Sequence, residues 1–117
     1  MMTFELPYPP TTNHAYFVSR GRKVKTAIAR QYAERVWHIV RAERVAMDYQ
    51  DARLRVSITM FAPDARKRDL ANIEKLAVDA VFAALGLDDS QIDEMLLTRA
   101  LVDRKRPRLE FSIEARS

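Results

Sequence analysis

The chain has 117 residues, which is enough for one hydrophobic core and too few for two independent ones. Hydrophobic residues make up 48% and charged residues 31%, a balance typical of a soluble folded domain. No apolar run approaches the roughly 18–20 residues of a membrane-spanning helix, and the first residues lack the pattern of a secretory signal. We therefore expect a single domain over residues 1–117, located in the cytoplasm and without membrane contact.

The counts of cysteine, histidine and charged residues narrow the chemistry. The absence of cysteine excludes a disulfide scaffold, a thiol nucleophile and cysteine-based metal sites. With only His14 and His38, a multi-histidine metal centre is not expected. Twenty Lys and Arg against sixteen Asp and Glu give a net charge of +4 and an isoelectric point near 9.7, which favours a polyanionic partner such as nucleic acid.

The first half of the chain predicts one strand, one hairpin and one long helix. Proline cannot donate to a strand ladder, so the first strand ends at the proline-rich segment that follows it. Arg20-Gly21 is typical of a hairpin turn, and Thr26 is a suitable helix N-cap. The predicted elements are Thr3–Leu6, the pair Ala15–Ser19 and Arg22–Lys25, and a helix from Thr26 to about Met47.

The second half predicts a strand, a helix and two further strands. The first and the last of these strands alternate apolar and polar residues. The helix carries apolar residues at helical spacing and ends before Gly86. The predicted elements are Leu54–Met60, Leu70–Leu85, Met95–Val102 and Arg108–Ala115. This order indicates an α/β or α+β fold, in which two main helices pack on one mixed β-sheet, and it leaves the strand order open.

Acidic residues flank the second predicted helix. Asp69 directly precedes the helix and follows a basic run, whereas Asp88 and Asp89 come just after its C-terminal glycine. A carboxylate before a helix is an ordinary N-cap, and two aspartates after a glycine are an ordinary solvated turn. Taken singly, each aspartate is explained by such a structural role.

A polar stripe along the same helix adds to this pattern. Asn72, Lys75 and Asp79 are three and then four residues apart, which places them on one side of the helix. Such a stripe is commonly only a solvated face, and Lys75 with Asp79 could form an ordinary ion pair. Beside a basic run, however, it suits phosphodiester chemistry, in which basic groups hold phosphates and carboxylates hold a divalent cation.

Three segments of the chain share the motifs of one protein family. They are Leu6-Pro7-Tyr8-Pro9-Pro10-Thr11-Thr12-Asn13, Arg66-Lys67-Arg68-Asp69-Leu70-Ala71-Asn72, and Leu87-Asp88-Asp89-Ser90-Gln91-Ile92. In sequence, spacing and order, these segments resemble the RusA-type Holliday junction resolvases. The resemblance implies a homodimeric, Mg²⁺-dependent endonuclease that nicks four-way DNA junctions symmetrically and needs no small-molecule cofactor.

The resemblance also assigns roles to individual residues. It implies that Asp69 and Asp89 bind the metal ion, that Lys75 acts at the scissile phosphate and that Asn72 orients a neighbouring group. We therefore expect the acid before the second helix and the acid after it to converge on one cation. The family has a further metal-binding aspartate where this chain has Ala71.

A methyl group cannot bind a cation, so Ala71 predicts weak or absent cleavage with retained junction binding. One explanation is an engineered Asp→Ala change that disables a nuclease, which we favour because the rest of the motif is intact. The other is a natural homologue that only binds junctions or that uses another ligand, such as Asp88 or Asp79.

Basic and polar residues near these motifs are candidates for DNA contact. The expected DNA-binding residues are Arg66, Lys67, Arg68, Arg20, Arg22, Lys23, Lys25 and Asn13. A third basic cluster is more readily explained as a solvated loop, and it comprises Arg104, Lys105, Arg106 and Arg108. The end strands and the first helix, which carries Trp37, are candidates for the dimer interface.

Two other functions stay open at this stage. One is a basic nucleic-acid-binding module without catalysis, and the other is a metal-dependent nuclease for a different branched or single-stranded substrate.

Overall fold

A computed structural model describes residues 1–10, 16–19, 21–43, 49–67 and 70–116. These residues form six strands, two helices and one short 3₁₀ turn. In chain order they are β1 (Met2–Pro7), β2 (Tyr16–Ser19), β3 (Arg22–Lys25), α1 (Ala27–Ala42), β4 (Leu54–Phe61), α2 (Leu70–Leu85), η1 (Asp89–Gln91), β5 (Ile92–Arg99) and β6 (Arg108–Ala115). Within this part of the chain, no helix is long and apolar enough to cross a membrane.

The main sheet has the strand order β1-β6-β4-β5, and β2 and β3 pair separately as an antiparallel hairpin. Strands β4 and β5 are parallel because α2 returns the chain between them, whereas β6 is antiparallel to both of its neighbours. The expected mixed sheet with two helices is therefore confirmed, and so is the hairpin.

Strict alternation makes the sheet one-sided. Leu54, Val56, Ile58 and Met60 of β4 are buried, while the residues between them are exposed or half-buried. Strand β6 continues the same buried layer with Leu109, Phe111 and Ile113. The buried residues are all apolar, so the helices cover one face of the sheet and leave the other face to water.

Helix α1 begins where the sequence predicts and ends earlier. The Thr26 side chain caps it by accepting a hydrogen bond from the Ala29 backbone N–H (3.3 Å). The predicted end near Met47 is wrong, since the helix ends at Ala42 and the Glu43 N–H turns to the Val40 carbonyl (3.2 Å). The last buried residue of the helix is Val40, and the three described residues that follow it, 41–43, are exposed and do not anchor the end of the helix to the core.

Helix α2 has the predicted bounds, and a glycine ends it. Gly86 has φ +70°, a left-handed conformation that is strained for residues with a Cβ atom. The Leu87 N–H bonds the Phe82 carbonyl (2.9 Å) and the Gly86 N–H bonds the Ala83 carbonyl (3.3 Å). These are the two bonds of a Schellman motif, which directs the chain back toward the sheet.

Strand β5 lies three residues earlier than the predicted Met95–Val102. Its parallel register pairs Ile92 with Leu54 and Arg99 with Met60, so pairing with β4 sets both of its ends. Beyond this register, Leu101 is 86% exposed and lies outside the strand. The prediction is wrong because apolar composition alone does not reveal where a neighbouring strand begins and ends.

A buried phenol ties α1 to the end of β1. The Tyr32 hydroxyl donates to the Pro7 carbonyl (2.8 Å), and burial raises the pKa of Tyr32, so the donor stays protonated. We predict that Tyr32→Phe lowers the free energy of unfolding by about 1 kcal/mol, because the Pro7 carbonyl loses its partner. Urea denaturation measures this change, and unaltered stability would show that the bond contributes nothing.

Candidate functional site

Helix α2 presents polar side chains on the side that faces away from the core. Ile73, Leu76 and Ala77 are buried and fix the rotation of the helix against the sheet and against α1. As a result, Asn72 and Lys75 are exposed on the polar stripe that the sequence predicts. Asp79 continues the stripe further along and is half-buried, and Ala71 is exposed in the first turn.

The Asp-Asp turn after α2 has a defined geometry. The Asp88 carboxylate accepts a hydrogen bond from the Ser90 backbone N–H (2.9 Å), and this bond is the main reason that the pKa of Asp88 is lowered. In return, the Gln91 side-chain oxygen accepts a hydrogen bond from the Asp88 N–H (2.9 Å). This reciprocal capping box leaves Asp88 engaged in the turn, with Asp89 exposed beside it.

Gln91 also joins the turn to the segment before β4. Its side-chain nitrogen donates to the carbonyls of Tyr49 (2.8 Å) and Ala52 (3.0 Å). Sequence reasoning assigned Gln91 no role, although the Asp-x-x-Gln spacing that begins at Asp88 is the signal for a capping box. The residue therefore positions the backbone that carries Asp89.

Glu74 is a second residue to which the sequence analysis assigned no role, and it is acidic. Burial raises the pKa of this carboxyl group, and the negative charges of Asp79 and Asp89 raise it further, whereas Lys75 opposes the shift. Asp89 therefore contributes to a negative field on this side of α2. Its position in the sequence could have identified it, because Glu74 lies one helical turn after Ala71.

The expected convergence of acids from the two sides of α2 stays a prediction. Asp69 and Arg68 lie outside the described residues, and Leu70, the next residue, lies in a cleft with Met60 and Arg99 at the C-terminal ends of β4 and β5. Asp89 instead precedes Ile92, which pairs with Leu54 at the opposite ends of these strands. Leu54 and Met60 are about 20 Å apart along β4 at roughly 3.3 Å per residue.

The described residues of one chain do not form a complete metal site. No group of three or more Asp, Glu, His or Cys side chains that could hold a metal ion occurs among them. Asp88 and Asp89 border one open depression together with Asp79.

The expected DNA-binding residues are described to different extents. Arg66 and Lys67 are exposed between β4 and α2, and Asp64 lies beside Arg66, with 3.8 Å between the Arg66 Nε and a carboxylate oxygen. Asn13 and Arg20 lie outside the described residues. For Arg22, Lys23 and Lys25, only the backbone of β3 is described.

The third basic cluster pairs with acidic residues. Arg106 contacts Glu5 (3.3 Å), and Arg108 contacts Asp103 (2.9 Å) and stacks on the ring of Phe61. The solvent-facing side of the sheet carries a similar network, whose cations are Arg53, Arg55 and Arg116 and whose anions are Asp93, Glu94 and Glu114. These arginines balance neighbouring carboxylates, so they add little net positive charge for a phosphate backbone.

Fold and polar groups together define a class of protein. The chain is an α+β domain in which one helix follows a basic segment, presents an amide and an ammonium group in its first half, and leads into a fixed Asp-Asp turn. These are groups that a nucleic-acid-processing enzyme uses. A family model described as endodeoxyribonuclease RusA matches residues 7–114. The chain therefore belongs to the RusA family.

Individual relatives agree with this assignment. A crossover junction endodeoxyribonuclease RusA of Escherichia coli K12 is 34% identical over 109 residues, which cover 92% of this chain and 89% of the relative. The protein of the same name from Enterobacteria phage 82 is 32% identical over the same shares of both chains. That of Enterobacteria phage HK97 is 34% identical over 84% of this chain and 82% of the relative.

The Gln91 contacts lead to a test of the turn. We predict that Gln91→Leu lowers the free energy of unfolding by roughly 2 kcal/mol, because the side chain no longer bonds two carbonyls and one N–H. Amide hydrogen exchange at Asp88 should become faster, since its N–H loses its acceptor. Gln31→Leu on the exposed side of α1 is the matched control and should change neither quantity; equal effects of both variants would contradict the assigned role.

Proposed function

We propose that this chain is a divalent-metal-dependent endodeoxyribonuclease that recognises four-way DNA junctions and acts as a homodimer. The supporting observation is family membership over nearly the whole chain, together with exposed Lys75 and Asn72 on α2 and a fixed turn that presents Asp89. The relatives are named for cleavage at crossover junctions. We place the activity in the cytoplasm.

The donor set suits a hard cation such as Mg²⁺. Asp69 and Asp89 would supply carboxylate oxygens, which are the ligands that Mg²⁺ prefers, and Asp88 would support the turn or add an oxygen. When bound, the ion would activate a water molecule and offset the charge that develops on the phosphate. The pKa of Glu74 is raised mainly by burial and further by the charges of Asp79 and Asp89, which supports a negatively charged surface beside Asp89.

The other polar residues hold and orient the DNA strand. Lys75 would place its ammonium group against the scissile phosphate, where it stabilises negative charge on the non-bridging oxygens. Asn72, one turn earlier on the same stripe, would orient a neighbouring group through its side-chain amide. Arg66 and Lys67 would bind flanking phosphates and, with Arg68 and the hairpin residues, make the affinity strongly dependent on salt.

The dimer interface that we propose is the free edge of β5. This strand ends the sheet order β1-β6-β4-β5, and it exposes Met95 and Leu96, the latter by 61%. Antiparallel pairing of two β5 edges about a two-fold axis would extend the sheet across both copies and cover these side chains. We choose this edge strand, whose place in the sheet the sequence leaves open, over α1 and over the strands at the two ends of the chain.

The same two-fold pairing would bring the Asp89 turn of one copy close to the start of α2 in the other. In an antiparallel pair, the start of one β5 lies beside the end of the other. Asp89 precedes the start of β5, and Leu70, which follows Asp69, lies in the cleft beside Arg99 at the end of β5. We therefore propose that each metal site combines Asp89 of one copy with Asp69 of a second copy.

Ala71 leads to a prediction about cleavage. We expect the chain to bind four-way junctions but to cleave them slowly or not at all, because a carboxylate is missing at an exposed position of the first turn of α2. Ala71→Asp should raise the rate of Mg²⁺-dependent nicking of a synthetic junction by at least about 100-fold, the size of effect typical of a functional group at a metal site. Ala42→Asp, which adds the same charge at an exposed position of α1, should leave the rate unchanged.

A second function, junction binding without catalysis, is favoured by Ala71 itself. It predicts that Ala71→Asp binds junctions without nicking them, at any Mg²⁺ concentration. A panel of four-way, three-way, single-stranded and duplex DNA separates both functions from a nuclease for another substrate. Preferential binding of duplex or single-stranded DNA would contradict the proposed junction selectivity.

A further inference from the structure

A cleft lies at the C-terminal ends of the two parallel strands, beside the start of α2. In α/β sheets, this edge is the usual place for a ligand, because the strands diverge there and the crossover helix begins. The cleft is separate from the Asp-Asp turn at the opposite strand ends. Its lining comprises Tyr8, Met60, Ala62, Asp64, Ala65, Arg66, Leu70, Arg99, Ala100 and Val102.

Backbone hydrogen bonds hold the walls of this cleft in place. The Ala100 N–H bonds the Met60 carbonyl (2.9 Å), which continues the β4–β5 pairing past the end of the strand. The Asp103 N–H bonds the Ala62 carbonyl (2.9 Å), which fixes the segment that carries Val102 against the end of β4. The backbone of the fold therefore forms the walls of the cleft.

The lining combines an apolar floor with the guanidinium groups of two arginines and the carboxylate of Asp64. Methyl, thioether and branched aliphatic groups form most of the surface, and Tyr8 adds an aromatic ring. Arg66 and Arg99 bring two guanidinium groups, each with planar donors that suit carbonyl oxygens and ring nitrogens. An aromatic ring, aliphatic contacts and guanidinium donors are the groups that proteins use to hold an unstacked base.

The size of the cleft limits what it can hold. Its volume is about 250 Å³, which is below the roughly 300–1,000 Å³ of pockets for drug-sized ligands. A cleft of this volume has room for one planar heterocycle but not for an intact base pair. Arg66 also belongs to the basic segment proposed to bind phosphates, so a base attached to the same nucleotide would lie within reach of the cleft.

We propose that this cleft binds a single unpaired nucleobase of the DNA strand that runs past the start of α2. The inference rests on the proposed function and adds to it a specific contact with one nucleotide beside the junction crossover. The floor supports the faces of the base, and Arg66 and Arg99 donate to acceptors on its edge. The cleft thereby fixes the strand next to the proposed catalytic residues.

Equilibrium binding to junctions that lack one base tests the proposal without requiring cleavage. A series of four-way junctions carries an abasic site at each nucleotide next to the crossover in turn. For the unmodified chain, we expect one position at which base removal weakens binding about tenfold, within the range for loss of one stacked base. Ala100→Phe fills the cleft and should weaken binding of the intact junction about tenfold, with no further loss on base removal.

Two further variants keep this test interpretable. Val102→Phe fills the cleft from its rim, where the native side chain is 41% exposed, and should reproduce the effect of Ala100→Phe. Leu101→Phe places the same phenyl group at the neighbouring, 86% exposed position outside the cleft and should bind like the unmodified chain. Circular dichroism confirms the fold of each variant before binding is measured.

The outcomes separate the cleft from the proposed function. The proposal is supported if removal of one base weakens junction binding by the unmodified chain and has no such effect on Ala100→Phe or Val102→Phe. Absence of a sensitive position, or sensitivity that persists in the folded filling variants, overturns it, and the proposed function survives if junctions are still bound more tightly than duplex. Equal affinity for junction and duplex overturns both.

Discussion

The packing of α2 against the sheet is the constraint on which the rest of the structure depends. Eight residues of this helix are buried, among them Ile73 and Val81, and its sixteen residues continue without a break to the Schellman motif. At about 1.5 Å per residue, Leu70 and Leu85 are about 22 Å apart along the axis. The helix thus acts as a rigid spacer between Leu70 at its start and the turn that carries Asp89.

The proposed dimer would give the exposed edge of the sheet a function. A lone chain that exposes Leu96 on an edge strand is at risk of unspecific strand pairing, and two-fold pairing with a second copy would occupy that edge. The same symmetry axis would bring the Asp89 turn of one copy close to the start of α2 in the other. A four-way junction offers two opposing strands, so two sites related by two-fold symmetry also match the proposed substrate.

Local sequence patterns predict where a helix or strand begins and ends when its own residues determine those positions. They fail when contacts with another element determine them. The apolar alternation in β4 and β6 and the helical spacing and C-terminal glycine of α2 are local features, so the sequence predicts the bounds of these elements within a residue. The C-terminal end of α1 depends on where its contact with the core stops, at Val40, and the ends of β5 depend on its register with β4.

Contacts between residues distant in sequence are not predicted either. The Gln91 contacts require Tyr49 and Ala52 to lie beside η1, and the pairing of Arg106 with Glu5 joins residues about a hundred positions apart. The polar stripe of α2 is predicted because helical spacing alone places Asn72 and Lys75 together.

Complementation between two inactive copies tests the shared site most directly. In the Ala71→Asp background, copies with Asp69→Asn and copies with Asp89→Asn carry different tags, so that mixed dimers can be purified. A shared site predicts that these dimers nick one junction strand, since one of their two sites keeps both acids. It also predicts that a dimer of one intact copy and one copy with both changes is inactive. Cleavage by the second mixture and none by the first would contradict the account, because each copy would then hold a complete site of its own.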